Sequence, residues 1–216
     1  MLQYGSAVLL IICALSFAQV THPQRSVEGS VITSHQDPAV RITFPSSARY
    51  LGADHFVLYE IADCELHALV EADPQKNVQK LYWVQFEGYL PTRPELHHTY
   101  DSPRHTKIGG MDFYVDTWVR SKSEKTRSGS DLEHIVALIE EKGYHLPEGM
   151  MYVRLVHLLD DQKRKELMII YAEDLRATGF MAAELEKGGR AYGRWPSLEQ
   201  DLVSRAEKSL TIEPLH

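Results

Sequence analysis

Cysteine is nearly missing from this chain. Its 216 residues include two, Cys13 and Cys64, too few for a disulfide framework. Cys13 lies in an apolar N-terminal run read below as a removable leader, which leaves Cys64 alone in the mature chain. An intramolecular disulfide is then impossible, and stability must come from a hydrophobic core. Long apolar runs are missing too. The run Ala7 to Phe17 has eleven residues, short of the roughly 20 needed to span a bilayer. Nor is there a basic patch: the net charge is −7, with Lys and Arg scattered, which argues against a nucleic-acid partner. No GxSxG elbow, Walker loop, or GxGxxG opening a helix occurs, and HExxH, HxH and CxxC spacings are absent. Serine hydrolases, P-loop enzymes and dinucleotide enzymes are therefore unsupported, and no cofactor is expected.

What remains is a chain of ordinary globular composition, 44% hydrophobic and 25% charged, long enough for one core. Its N-terminus carries a compartment signal. The apolar run is followed by Ser16-Phe17-Ala18, with small residues at −3 and −1 of a cleavage site. Residues 1–18 read as a secretory signal peptide cleaved near Ala18, although MLQYGS lacks Lys and Arg. The mature chain is expected to be secreted or periplasmic, with no membrane span. Residues 19–38 show no apolar period and read as a flexible tether, leaving 39–216 as a single domain.

Alternation dominates that domain. In ADCELHALVEA, residues 62–72, Cys64, Leu66, Ala68 and Val70 face one way and Asp63, Glu65, His67 and Glu71 the other. The turn signal DPQKN leads into Val78 to Glu87, with Tyr82, Val84 and Phe86 opposed to Leu81, Trp83, Gln85 and Glu87. Matching Cys64, Leu66 and Ala68 to Phe86, Val84 and Tyr82 sets His67 opposite Trp83 and Asp63 opposite Glu87. A third strand is expected over 111–120, with Asp112, Tyr114, Asp116, Trp118 and Arg120 outward. Residues 151–159 and 167–172 are apolar on both faces and read as a central hairpin, with shorter strands at 41–44 and 55–61. Ser130 and Glu133 make a capping box for a helix ended by Gly143, and Ser197 and Gln200 do the same for a C-terminal helix to about Leu210. A short helix fits between Thr178 and Lys187. The fold class is α+β: a mainly antiparallel sheet covered on one side by two or three helices.

The long connection 88–110 holds Arg93, His97, His98, Arg104 and His105, and connections of this length are usually functional. Opposed Asp63 and Glu87 would repel unless a cation or a proton joins them. Arg93 is near enough in sequence to supply the charge, and His97 or His98 could share a proton. Trp83, Gln85, Glu87, Arg93, Tyr114 and Trp118 form the candidate ligand-binding set, since aromatic faces and acceptors suit a sugar or a cationic small molecule. Asp63, Glu87, His97 and His98 are the candidate catalytic residues. A metal on His97, His98, Glu95 and His105 is disfavoured, because adjacent histidines rarely reach one ion. Cys64 reads as a small buried hydrophobe, His157 as a hydrogen-bonded core histidine, and His134 as exposed. The expected function is an exported, non-catalytic domain binding a small molecule or an envelope protein. The alternative is an acid/base hydrolase using the carboxylate pair and a neighbouring His.

Overall fold

A computed structural model describes residues 25–215. The expected leader and the start of the tether lie outside the described residues. Three short strands open the described chain, β1 (Ser26–Glu28), β2 (Val31–His35) and β3 (Ala39–Thr43). Then come β4 (Arg49–Leu58), β5 (Ala62–Ala72), β6 (Val78–Tyr89), β7 (Arg104–Ile108) and β8 (Met111–Ser121). Helix α1 (Asp131–Glu141) precedes β9 (Gly149–Leu158) and β10 (Lys165–Asp174), and α2 (Ala182–Leu185), α3 (Trp195–Lys208) and β11 (Thr211–Pro214) close the fold. The α+β class is as expected, with strand well in excess of helix.

Two antiparallel sheets form, ordered β1-β2-β3-β11 and β4-β5-β6-β10-β9-β8-β7. The apolar hairpin β9–β10 occupies the middle of the larger sheet, because only central strands bury both faces. Both faces are in fact covered, where helices had been expected on one. Ile135, Leu138 and Ile139 of α1 pack with Leu66, Trp83 and Ile170 on the first face. On the second, Tyr82, Val84, Phe113 and Leu155 meet Ile32, Val40 and Ile42 of the smaller sheet and Leu202 and Ala206 of α3. Each such side chain contributes about 1.5–3 kcal/mol by leaving water. Among the described residues, no helix is long and apolar enough to cross a membrane.

Two local expectations change. Residues 26–35, read as part of a flexible tether, are paired strands, with Ile32 and Ser34 buried. Two inward positions are too few to show a period. Helix α3 starts at Trp195 with Pro196 in its first turn, so Ser197 is not its cap. Helix α1 keeps its predicted cap, with Ser130 Oγ accepting from Glu133 N at 3.2 Å, and Gly143 has φ +74° beyond its end.

The register of β5 on β6 also differs. Ala72 pairs with Val78 as expected, but a bulge beside Glu71 moves every later pair by one residue. Asp73 anchors this turn, its Oδ1 accepting from the backbone N–H of Gln75 and Asn77 at 2.9 and 2.8 Å. Cys64 therefore pairs with Glu87, Leu66 with Gln85 and Ala68 with Trp83. Asp63 pairs with Gly88, on the face opposite Glu87, so the expected Asp63–Glu87 pair does not form.

Gly109, in the β7–β8 turn, offers a test of how the two sheets meet. Its φ is +58°, and a Cβ there would stand 1.9 Å from the carbonyl oxygen of Ile212 in β11. Neighbouring Gly110, at φ +84°, has open space around it. In urea melts, Gly110→Ala should cost about 1–2 kcal/mol through backbone strain alone. Gly109→Ala should cost clearly more, because the chain must also move away from β11.

Candidate functional site

The carboxylate that lies opposite Glu87 is Glu166. Strand β6 has two neighbours, and on the β10 side Glu166 is the direct partner of Glu87. Residues paired this way carry their side chains on the same face, where like charges repel. Glu166 is 3% exposed and Glu87 half-buried. Gln85, next on that face of β6, donates from Nε2 to Glu87 Oε2 at 2.8 Å and accepts from Trp83 Nε1 at 3.2 Å. Trp83 is thus a buried support for the site.

Residues 90–103 close over this pair, and a single side chain organises their start. Arg164, in the β9–β10 turn, donates to the carbonyl oxygens of Tyr89, Leu90, Arg93, Pro94 and Leu96 at 2.8–3.2 Å. The His98 N–H donates to Lys163 O at 2.7 Å, fixing the segment to the same turn. His98 is buried as a result, with Nδ1 3.0 Å from Glu166 Oε2. The Tyr89 ring stacks on it at 4.4 Å. Tyr100 OH donates to Glu166 Oε2 at 2.7 Å. Arg154 lies over the Tyr100 ring, and its guanidinium bonds to Asp116 at 2.7 Å.

Burial governs the charges here. It is the first cause pushing the Glu166 carboxyl up to about 8, and the charge of Glu87 adds to it. Glu87 is also raised, chiefly by burial, while its bonds from Gln85 and Cys64 oppose the shift. Burial pushes His98 down to about 4, so its imidazole is neutral near pH 7. Glu87 has a second aspect. It borders a cavity of about 330 Å³ at the end of β5 and β6 whose other walls, Arg25, Asp63, Glu65, Phe86 and Lys165 among them, belong to the opposite face of the sheet or its edge. Glu87 is itself only half-buried, so the pair meets solvent on the Glu87 side.

The sequence-predicted residues fall into two groups. Gln85, Glu87 and His98 meet at the Glu166 cluster, with Trp83 behind them and Tyr114 against Tyr100 at 5.6 Å. Trp118 stacks on Tyr152 at 5.0 Å, in the row of Ala172. That row is six residues from Glu166 along β10, about 20 Å away at strand rise. Arg93 is exposed, and among the described residues its guanidinium makes no ion pair with Asp63 or Glu87. Asp63 is paired instead with His55 at 2.9 Å. His97 and Glu95 are exposed, and His105 packs on Tyr114, so the four residues of the disfavoured metal set are not gathered. Cys64 is buried, as expected. His157 is only partly buried, bonded to Asp112 O at 2.9 Å. His134 stacks on Phe56 and bonds to Asp54 at 2.7 Å, where exposure had been expected.

Glu166, Tyr100 and Arg164 were missed. Strand β10 begins at Lys165, inside the charged turn DDQKRKE, two residues before the apolar run that marks it in the sequence. The signal was parity: Glu166 falls in step with Met168, Ile170 and Ala172. Comparison of the chain with family models, curated proteins and solved structures gives no match.

The Arg164 clamp should be measurable. Arg164→Met removes five charge-assisted bonds and should cost about 2 kcal/mol or more. Amide hydrogen exchange should speed up at His98 while the centres of β9 and β10 stay protected. The charge state of Glu166 gives a second check. Its folded-state pKa lies above the unfolded value, so its contribution is fully present below about pH 4.3. That contribution is lost as pH rises through about 8. Stability of the wild type should fall over this window in denaturant titrations, and Glu166→Gln should flatten the fall.

Proposed function

We propose that this chain is an exported, non-catalytic binding domain whose ligand brings positive charge to the buried Glu87–Glu166 pair. The observation that carries the reading is the pair itself. Two carboxylates sit directly opposite each other under cover, and among the described residues no Lys or Arg is ion-paired to either. Arg154, whose charge acts on Glu166, is committed to Asp116. A like-charged buried pair is stable only with a proton or a cation between its members. Tyr89 and Tyr100 add aromatic surface, which attracts cations. Glu87 is half-buried and Glu166 buried behind it, a covered setting that suits a small molecule or ion better than a flat protein partner. Export rests on the leader pattern of residues 1–18.

The acid/base hydrolase reading uses the same carboxylates, with Glu166 in place of Asp63 and His98 as the neighbouring imidazole. Geometry favours it less, since Glu166, 3% exposed, lies buried behind half-buried Glu87.

Thermal melts against a panel of small organic cations and divalent ions test the proposal. At least one member should raise the Tm of the wild type in a concentration-dependent way. Glu166→Gln should melt no lower than the wild type without ligand, because it relieves repulsion, yet lose that response. An equal response in the variant, or none in the wild type, would remove the proposal. Turnover on ester, glycoside or phosphate substrates that vanishes in Glu87→Gln would favour the hydrolase.

A further inference from the structure

We infer that Glu87, His98 and Glu166 form a binding site for a first-row divalent metal ion such as Zn²⁺. This rests on the cation reading above and names the cation. Each residue offers one donor atom, a ring nitrogen from His98 and a carboxylate oxygen from each glutamate, and the three atoms lie within 4.8 Å of one another. Around a zinc ion bound at about 2.1 Å, tetrahedral donors stand about 3.4 Å apart. The widest separation needs to close by at most about 1.4 Å.

Three further features point the same way. The donors are held from outside, as metal ligands are. Gln85 fixes Glu87 at 2.8 Å, Tyr100 fixes Glu166 at 2.7 Å, and the Tyr89 ring packs on His98. Gln85 is itself oriented by Trp83. The imidazole is already aimed at the carboxylates: His98 is 6% exposed, and its Nδ1 stands 3.0 Å from Glu166 Oε2. Finally, the donors come from neighbouring strands β6 and β10 and from the segment that Arg164 pins, so the site is built before the ion arrives. Three protein donors leave a coordination position open, and half-buried Glu87 lets water fill it.

Imidazole with two carboxylates is a donor set for zinc, iron or manganese rather than for calcium, which takes oxygen alone. A primary ammonium could occupy the same triangle, and the experiment separates the two. The full chain, stripped with a chelator, is titrated with Zn²⁺ by calorimetry and, separately, with methylammonium. One saturable zinc site is expected. Glu87→Gln, Glu166→Gln and His98→Gln should each weaken it at least tenfold, while His97→Ala, changed at an exposed neighbour, should leave it intact. Co²⁺ in place of zinc should give visible absorption that His98→Gln alters. Melting curves confirm that each variant is folded, and the two near-isosteric Glu→Gln changes carry the test should His98→Gln fail to fold. Zinc binding that survives in the three variants, or is lost with His97, overturns the site. Binding of methylammonium without zinc overturns the metal and leaves the cation reading standing. No binding of either overturns both.

Discussion

The bulge beside Glu71 decides which side chains share a face at the centre of the large sheet. Because side chains alternate with period two, a shift of one residue exchanges the inner and outer sets of a strand. Without the bulge, Cys64 would lie beside Phe86, and Glu87 beside Asp63. With it, Glu87 joins the face of Cys64, Leu66 and Trp83, which α1 covers, and Asp63 goes to the other side. Glu87 then has only Glu166 as a carboxylate neighbour in register, on the far side of its own strand. The extra residue is accommodated at the turn, where Asp73 accepts two backbone N–H groups and Asn77 donates to its second oxygen at 2.8 Å. An Asx turn of this kind carries its own hydrogen bonds, so the irregularity leaves no orphaned amide at the turn.

Covering both faces raises the stakes for every polar side chain in the sheet. A half-exposed antiparallel sheet lets its charged face rest in water. Here the smaller sheet with α3 takes one face and α1 with residues 90–103 the other, so Gln85, Glu166 and His98 are all buried. Such a network is worthwhile only when its members are satisfied. Gln85 is satisfied by Trp83 and Glu87, and Glu166 by Tyr100, while burial beside Glu87 drives Glu166 toward its protonated form.

Much of the fold was legible in the sequence, and the reason is periodicity. β5, β8, β9 and β10 each carry long runs of alternating or continuous apolar residues, and α1 announces itself through Ser130, its stripe and Gly143. β1, β2, β7 and β11 are three to five residues long, with too few inward positions for a pattern. The candidate site was half legible. Glu87, Gln85, Trp83 and His98 could be named because each lies on a recognisable strand or in a conspicuous loop. Their partner could not, for two physical reasons. Register depends on a bulge next to a turn that one aspartate holds by hydrogen bonds. Glu166 also sits where a strand begins inside a charged turn, and composition there points to solvent. Arg164 was hidden for the same reason: its five acceptors are backbone carbonyls, which leave no mark in a sequence.

The second face of the sheet supplies an internal comparison for the unbalanced pair. Glu65, 2% exposed, is as deeply buried as Glu166. It receives the backbone N–H and the guanidinium of Arg25 at 3.1 and 3.2 Å and lies 2.9 Å from His67 Nε2. His67 meets the Tyr50 hydroxyl at 3.0 Å through its other nitrogen, and the Arg25 guanidinium also covers the Phe86 ring at 4.2 Å. That carboxylate is neutralised and hydrogen-bonded by the protein itself, as a purely structural buried charge must be. Glu166 has the same depth, a second carboxylate beside it, and an imidazole that burial keeps neutral. One fold thus contains both arrangements: an arginine is built in to meet Glu65, whereas among the described residues no Lys or Arg is ion-paired to Glu87 or Glu166, and burial beside a second carboxylate favours the protonated form of Glu166 instead.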